Sequence, residues 1–569
     1  MISVQLGCVP DALAVPTNVI ASNTSALIRN LPTMNRKTLV LPALAGLLVP
    51  TLAACGSSDG SGEGGKPIKV GTTAQLEATK DAPAPLDPAQ AYDVDAWNVL
   101  RGTLQTLMRL PRTGTAPVPE AAESCGFRDT QSEQYRCKLR DGLKFTNGHA
   151  LTSKDVKFSI DRMLAIKYDR GPVSLVDNID KVETPSESEV VFHLKKPDAT
   201  FPQKLATPAA AIVDSEVYPK NGLYKGFEVA GSGPYTVKVE HSGERVSKAV
   251  FTKNPEYKGG IEVKNSTVEM KFFDDSEGME KALRKGDIDL MNRSLAPDQI
   301  KGLENARDEH VRLQAVPGSE IRYLAFNTDN PSVSDKAVRQ AMAQLINRSA
   351  LVRDVYSYTG DPLYSMVPKG LTGHINSFFT KYGSPSVPAA RKILQQAHIN
   401  TPVKLTLTHT TNHYGSSTAK EFKTLQSQLN QGGLFDVSLK GVDSWQQFRK
   451  EQTEGKYAAY GMGWFADLPD ADNYIAPFFG KGNFLNSPYR NNKIESQLIP
   501  GTRQQTDRNS AAEQFKQAQD IIADEVPILP LWQGKQYVAA RDDITGAEWA
   551  LNSSSALQIW ELARGVSSN

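Results

Sequence analysis

Cysteine is scarce in this chain, with four in 569 residues, and neither sign of charge is in excess: 64 Lys and Arg stand against 63 Asp and Glu. The balance leaves no electrostatic footprint for nucleic acid or for an anionic membrane surface. There is no internal repeat and no second long apolar run beyond the one near the N-terminus. No HExxH pair occurs, and the few cysteines leave no free thiol as a nucleophile once the mature chain is considered. Carboxylates are numerous, yet no spacing pairs them for acid–base work, and no cofactor is implied. A secreted hydrolase therefore stands as a minor alternative. The length suits two to four domains with a large core.

What is present begins with Arg36-Lys37, an apolar stretch from Thr38 to Ala54, and Cys55. A basic start, an apolar centre and small residues before a cut site describe an export signal, and Pro42 and Pro50 argue against a membrane-spanning helix. Leu52-Ala53-Ala54-Cys55 resembles the bacterial lipobox, which implies cleavage before Cys55 and lipidation of its sulfur. The mature N-terminus would then be a membrane anchor on the outer face of the cell, or in the periplasm. The polar run GSSDGSGEGG that follows reads as a flexible tether over 55–66. The residues before Met34 fit poorly ahead of such a signal, so translation is expected to start at Met34. Of the two remaining partners in the exported chain, Cys125 and Cys137 flank a turn-rich segment between strand-like ends, and a disulfide is expected.

Along the mature chain, Ile68–Thr72 reads as a strand. Val94, Trp97, Leu100, Leu104, Leu107 and Met108 follow at near-helical spacing. Thr152 and Asp155 make a capping pattern ahead of a helix carrying Val156, Ile160 and Met163. Ser334 is expected to cap a helix with Val338, Ala341, Met342 and Leu345 on one face. Strands at 321–328, 401–410 and 435–443 alternate with helices near 389–397 and 417–429, and a last helix at 511–522 feeds VPILPLW. The pattern is α/β: two lobes of unequal construction, with no single doubly wound sheet.

The ordered set LRDGLKFTNGHALTSKDVKFSIDRML (139–164), GSGPYTV (231–237), YLAFNTDNPSVSDKAVRQAMAQLINRSALV (323–352), GMGWFADLPDADNY (461–474) and PILPLW (527–532) resembles the extracellular solute-binding proteins of family 5, the peptide- and nickel-binding components of ABC importers. The resemblance implies a bilobed periplasmic-binding-protein-like fold of type II. The first lobe would span 67–318, with a β-rich subdomain inserted at about 101–228, and the second 319–526. Residues 527–569 would return to the first lobe, and crossings near Pro317–Tyr323 and Pro527–Trp532 would make a two-strand hinge. It also implies a monomer without enzymatic activity that closes on an oligopeptide and delivers it to membrane permease subunits. A metal chelate, an opine-like compound or an oligosaccharide are alternative ligands, and a signalling-peptide receptor is an alternative role.

The segment Gly461-Met462-Gly463-Trp464-Phe465-Ala466 fits the letters of a dinucleotide fingerprint, but bulky Trp464 and Phe465 stand where phosphates must approach. Asp467, Asp470 and Asp472 lack the glycine and terminal glutamate of a calcium loop. His409 and His413 have no third ligand for zinc and read as a polar loop. In the relatives, the aspartate at the position of Asp467 holds the ligand's α-ammonium, which needs a fixed opposite charge when buried. The resemblance thus implies Asp467 as the main ligand contact. Gly463 and Phe465 would lend backbone to an extended peptide, the two glycines Gly461 and Gly463 would allow its close approach, and Trp464 would form a wall, while Asp470 and Asp472 shape the turn beyond. Thr73, Gln75, Tyr323 and Asn327 are further candidate contacts. Gly461 replaces a basic residue seen in some oligopeptide binders, which leaves ligand length open.

Overall fold

The computed structural model describes residues 65–565, apart from 293, 294, 305, 307–309, 317, 412, 553 and 555. The apolar run, Met34 and Cys55 lie outside the described residues. Among those described, no helix is long and apolar enough to cross a membrane.

The chain enters through β1 (Ile68–Thr72), whose side chains are mostly buried. Helix α1 (Val94–Thr103) follows, capped by Asp93 accepting from the Asp95 and Ala96 amides. A four-stranded antiparallel sheet comes next: β2 (Ala122–Phe127), β3 (Gln134–Leu139), β4 (Ile179–Ser186) and β5 (Glu189–Leu194), in the order β2-β3-β5-β4. Helix α2 (Ser153–Ile166) covers it, and the capping box foreseen at Thr152 and Asp155 is formed, with the Thr152 amide donating to the Asp155 carboxylate at 2.8 Å. This unit has its own apolar core, including Tyr135, Phe145, Ile160, Phe192 and Phe201. Cys125 and Cys137 stand opposite each other in the β2–β3 register, Cα atoms 4.1 Å apart and sulfurs within bonding distance.

The chain then returns to the first sheet with β6 (Tyr235–Ser242), β7 (Arg245–Lys253), β8 (Thr267–Phe272), β9 (Leu290–Asn292) and β10 (Val311–Val316). It leaves for a six-stranded sheet built from β11 (Ile321–Phe326), β12 (Gly360–Pro362), β13 (Val403–Thr410), β14 (Phe435–Val442), β15 (Ala459–Trp464) and β16 (Ile528–Gly534), in the order β12-β16-β11-β15-β13-β14. Helices α3 (Lys336–Leu345), α4 (Thr418–Asn430), α5 (Trp445–Thr453) and α6 (Ala512–Glu525) belong to this second lobe. The cap of α3 is Asp335, which accepts from the Ala337 amide at 2.7 Å, and not Ser334 as the sequence suggested. Aspartate binds the amide as well as serine does, one position later. Strand β17 (Gln536–Arg541) re-enters the first sheet, whose order is β10-β17-β9-β1-β8-β7-β6.

The chain therefore crosses between sheets twice, after β10 and at Lys535. The second crossing falls beyond the expected 527–532, because Ile528–Gly534 stays paired with β11 and β12. The crossings lie side by side: Gln533 Nε2 donates to the Gly318 carbonyl at 2.7 Å, and the Gly534 amide donates to the Glu320 carbonyl at 2.9 Å. A Cβ on Gly318 would sit 2.1 Å from the Gly534 oxygen, so only glycine permits this approach.

Cross-linking Cys125 to Cys137 closes a short loop, with a sequence separation of 12. Replacing both by serine is expected to lower the stability of the subdomain by about 3 kcal/mol. The check is the urea midpoint of its unfolding; an unchanged midpoint would show that the bond carries no stability.

Candidate functional site

Parallel strands present a common C-terminal edge, and in open α/β sheets ligands collect beyond that edge. In the second lobe β13 runs parallel to β14 and β15, so the chain beyond Thr410 and the loops 443–444 and 465–470 emerge at one edge. β11 is antiparallel to β15, with Ile321 opposite Trp464, so the incoming crossing arrives at this same edge. In the first lobe β1 runs parallel to β8 and β9, and β17 enters opposite the end of β9. Both lobes thus turn the ends of their parallel strands toward the crossings.

Asp467 lies at this junction, 8% exposed. Its Oδ2 accepts from Tyr92 of the first lobe at 3.0 Å and from Asn473 Nδ2 at 3.3 Å. The Asp467 amide donates to Asn473 Oδ1 at 2.8 Å, which fixes the loop backbone. Burial pushes the carboxyl up to about 6, opposed by the Asn473 and Tyr92 hydrogen bonds and by the charges of Arg101 and Lys204. The same burial, with the Asp467 charge, holds the Tyr92 hydroxyl in its protonated, donating form. Among the described residues, further contacts join the lobes: Leu468 belongs to the apolar core of the first lobe, and the Ala199 amide donates to the Arg503 carbonyl at 2.7 Å.

The neighbouring residues sort by strand alternation. Trp464 points into the second-lobe core, 5.1 Å from Phe478 and 5.2 Å from Phe484, with its indole N–H on Asn473 at 3.2 Å. It braces the Asp467 loop from behind and is not a wall. Phe465, half-buried, turns the other way, its ring 5.8 Å from the Arg322 guanidinium. Gly461 and Gly463 were expected to leave backbone open to a ligand. Their missing side chains are instead occupied by this protein: a Cβ on Gly461 would meet Phe422 Cζ at 2.2 Å, and one on Gly463 would meet Arg322 Nη1 at 1.8 Å.

Arg322 was not singled out in the sequence. It is 8% exposed, pairs with Glu320, and lies 4.2 Å from the Tyr414 ring and 5.4 Å from that of Trp532. Beside it Glu421 is buried and accepts from Tyr356 at 2.7 Å and from Trp532 Nε1 at 3.0 Å, and burial raises its carboxyl. His413 stacks on Trp445 at 3.9 Å and 4°, so it belongs to an aromatic edge of the site and not to a plain polar loop. No cluster that could hold a metal occurs among the described residues.

Asp470 and Asp472 do shape the turn. Asp470 accepts the Asp472 amide at 2.8 Å and the Nε and Nη2 of Arg508 at 2.7 and 2.9 Å, while Asp472 takes two bonds of 2.9 Å from Arg503. Each carboxylate is thus saturated by a guanidinium fork. Of the remaining candidates, Thr73 follows β1 at the right edge, its buried hydroxyl without a hydrogen-bond partner, and Gln75 is exposed nearby in sequence. Tyr323 is fully buried, its ring 5.5 Å from Phe478, and is a core residue. Asn327 follows the far end of β11, about 20 Å along the strand from Ile321. There it donates to the Gly455 carbonyl at 3.0 Å, and it is not brought to the site.

Gly461→Ala is expected to cost about 1–3 kcal/mol by overpacking against Phe422. Trimming the ring in the double variant Gly461→Ala/Phe422→Leu should recover part of the loss in thermal melts, and an unperturbed single variant would contradict the close packing.

The sequence profile of the bacterial extracellular solute-binding proteins, family 5, matches residues 116–486. The probable D,D-dipeptide-binding periplasmic protein DdpA of Escherichia coli (strain K12) is 25% identical over 476 residues, covering 82% of this chain and 89% of that protein. A dipeptide-binding protein from Pseudoalteromonas sp. SM9913, solved with Met-Leu, superposes with a TM-score of 0.76 at 19% identity, covering 88% of this chain and 100% of the other. AgaA of A. tumefaciens R10, solved with agropinic acid, gives 0.73 at 23% identity over 88% and 99%. The fold is that of the bilobed periplasmic binding proteins, and the chain belongs to the bacterial extracellular solute-binding proteins of family 5.

Proposed function

We propose that this protein is the receptor of an ABC importer, that it captures short peptides between its lobes, and that Asp467 takes their α-ammonium group. The observation that carries the reading is the buried Asp467 carboxylate, placed between the lobes and already accepting a hydrogen bond from Tyr92 across them. A buried carboxylate without a salt-bridge partner is a costly feature to keep. An ammonium with three donors is the group that satisfies it, and closure around that group gives a transport receptor its affinity. DdpA and the Met-Leu complex are dipeptide-binding by name, which supports peptides over the alternatives. The activity is binding and release without chemistry. Export, a lipid anchor at Cys55, a Cys125–Cys137 disulfide formed outside the cytoplasm, and docking on permease subunits complete the reading, as does a monomeric state.

Two measurements test it. Native mass spectrometry of the exported protein should show retained peptides; a metal complex or a sugar in their place overturns the assignment. Asp467→Asn should weaken peptide binding by about 1–3 kcal/mol.

The pH dependence has a definite sign. Burial raises the Asp467 carboxyl to about 6, so its contribution to the closed form is greatest when protonated and fades as pH rises through about 6. An ammonium ligand needs the ionised form. Affinity should therefore be level above pH 6 and fall by up to about tenfold per pH unit below it. Titration calorimetry from pH 5 to 8 reads this directly, and Asp467→Asn should abolish the dependence.

A further inference from the structure

Leu468 follows Asp467 directly and belongs by chain to the second lobe, yet its side chain is 1% exposed and lies within the apolar core of the first lobe. That core also holds Trp97 and Leu100 of α1, and the Tyr92 ring packs against it. Two successive residues of one loop therefore cross to the same wall. Asp467 takes the Tyr92 hydroxyl at 3.0 Å, and Leu468 enters the apolar cluster against which that ring packs.

The backbone of this pair is bolted to its own lobe. The Asp467 amide is held by Asn473 Oδ1 at 2.8 Å, the Leu468 carbonyl accepts the Asp470 amide at 2.9 Å, and Asp470 is forked by Arg508. Pro469 stiffens the link further, since its ring fixes φ. Leu468 thus cannot lean across to follow the first lobe when the lobes part. Its side chain must leave the first-lobe core for water, and burial of a leucine side chain favours the buried form by about one to two powers of ten. A hydrogen bond across the lobes is exchanged for bonds to water on opening, whereas apolar burial is lost outright.

We propose that Leu468 is a clasp, a positioning residue that sets the balance between the open and closed forms and through it the affinity for every ligand alike. Asp467 then selects what is bound, and Leu468 decides how readily the lobes stay shut around it. Because the two are neighbours on one rigid loop, docking of the carboxylate and seating of the leucine occur in a single motion. The proposal goes beyond the peptide reading and does not depend on it, since a side chain buried in the first-lobe core does not reach the cargo.

The test compares Leu468→Ala and Leu468→Asp with Leu100→Ala, a leucine of the same core that belongs to the first lobe by chain. Each full exported chain is followed by small-angle X-ray scattering without ligand, by thermal melting, and by calorimetric titration with Met-Leu and Ala-Ala-Ala at pH 7.5. A ligand that binds only the closed form loses affinity by the factor by which closure falls. Where the open form already dominates, Leu468→Ala should weaken both peptides by at least about tenfold and by the same factor. Where the closed form dominates, the radius of gyration should rise. Leu468→Asp should exceed Leu468→Ala in either reading, because closure would bury a charge. Leu100→Ala should lower the melting midpoint and leave scattering and affinity unchanged. Unchanged scattering and affinity in both Leu468 variants, whether or not the peptides bind, overturns the proposal, and a midpoint lowered as far as in Leu100→Ala without opening does the same. A loss confined to one peptide also overturns it, since that would set Leu468 against the cargo. Scattering that responds to Leu468 while neither peptide binds the unmodified protein overturns the peptide reading and leaves the clasp standing.

Discussion

The arrangement depends on the paired crossings of the chain between its two sheets. Gly318 and Gly534 pass at a distance that admits no side chain, and the Gln533 amide and the Glu320 carbonyl tie one crossing to the other. Because β11 starts and β16 ends at this point, both crossings leave the second sheet at the edge where β13, β14 and β15 terminate. The first sheet receives them at the edge where β1 and β9 terminate. Two short connections thus make the two ligand-facing edges meet. A hinge needs few residues to absorb rotation, and a pair of crossings restricts that rotation to one opening and closing motion.

On the second lobe, rigidity around Asp467 comes from arginine and aromatic packing and not from ligand contacts. Arg503 and Arg508 hold Asp472 and Asp470 in forked pairs, Trp464 is tied to Asn473, and Asn473 holds the Asp467 backbone and side chain together. The three aspartates of this loop therefore have two different duties. Two are neutralised within the lobe, and the third is left for the opposite lobe. The glycines of β15 follow the same logic, since Phe422 and Arg322 lie directly on the strand and stiffen it where the loop begins.

Much of the fold was legible because its determinants are local. The capping box of Thr152 and Asp155, the alternation of the strands and the helix faces are written within a few residues of one another, and even the Asp335 cap missed its expected position by one. The Asp467 loop was legible through its motif. What faces that loop was not: Tyr92 is 375 residues away, and nothing near it marks a partner for a carboxylate. Trp464 and Phe465 were likewise undecidable as a pair, since the face each takes depends on where β15 ends. Gly461 and Gly463 looked like room for a ligand because the sequence does not show that Phe422 and Arg322 come from other elements to fill it. Tyr323 and Asn327 share a strand with the site edge but fall on its core face and beyond its far end.

The contact between Tyr92 and Asp467 sets how affinity is divided. In the closed form a neutral hydroxyl already occupies one oxygen of the carboxylate, at 3.0 Å, so closure without ligand is not left with a bare buried charge. On the proposed reading, a ligand ammonium would gain only the difference between its own charge-assisted bonds and this hydroxyl contact. Such an arrangement moderates binding, which suits a receptor that must also release its cargo. Burial works in the same direction, since it makes the ionised carboxylate less stable in the closed form than in water. Closure and recognition are thereby coupled through one oxygen pair. The lobes meet at Asp467 through Tyr92, and on the proposed reading a positive charge there converts a tolerable contact into a favourable one.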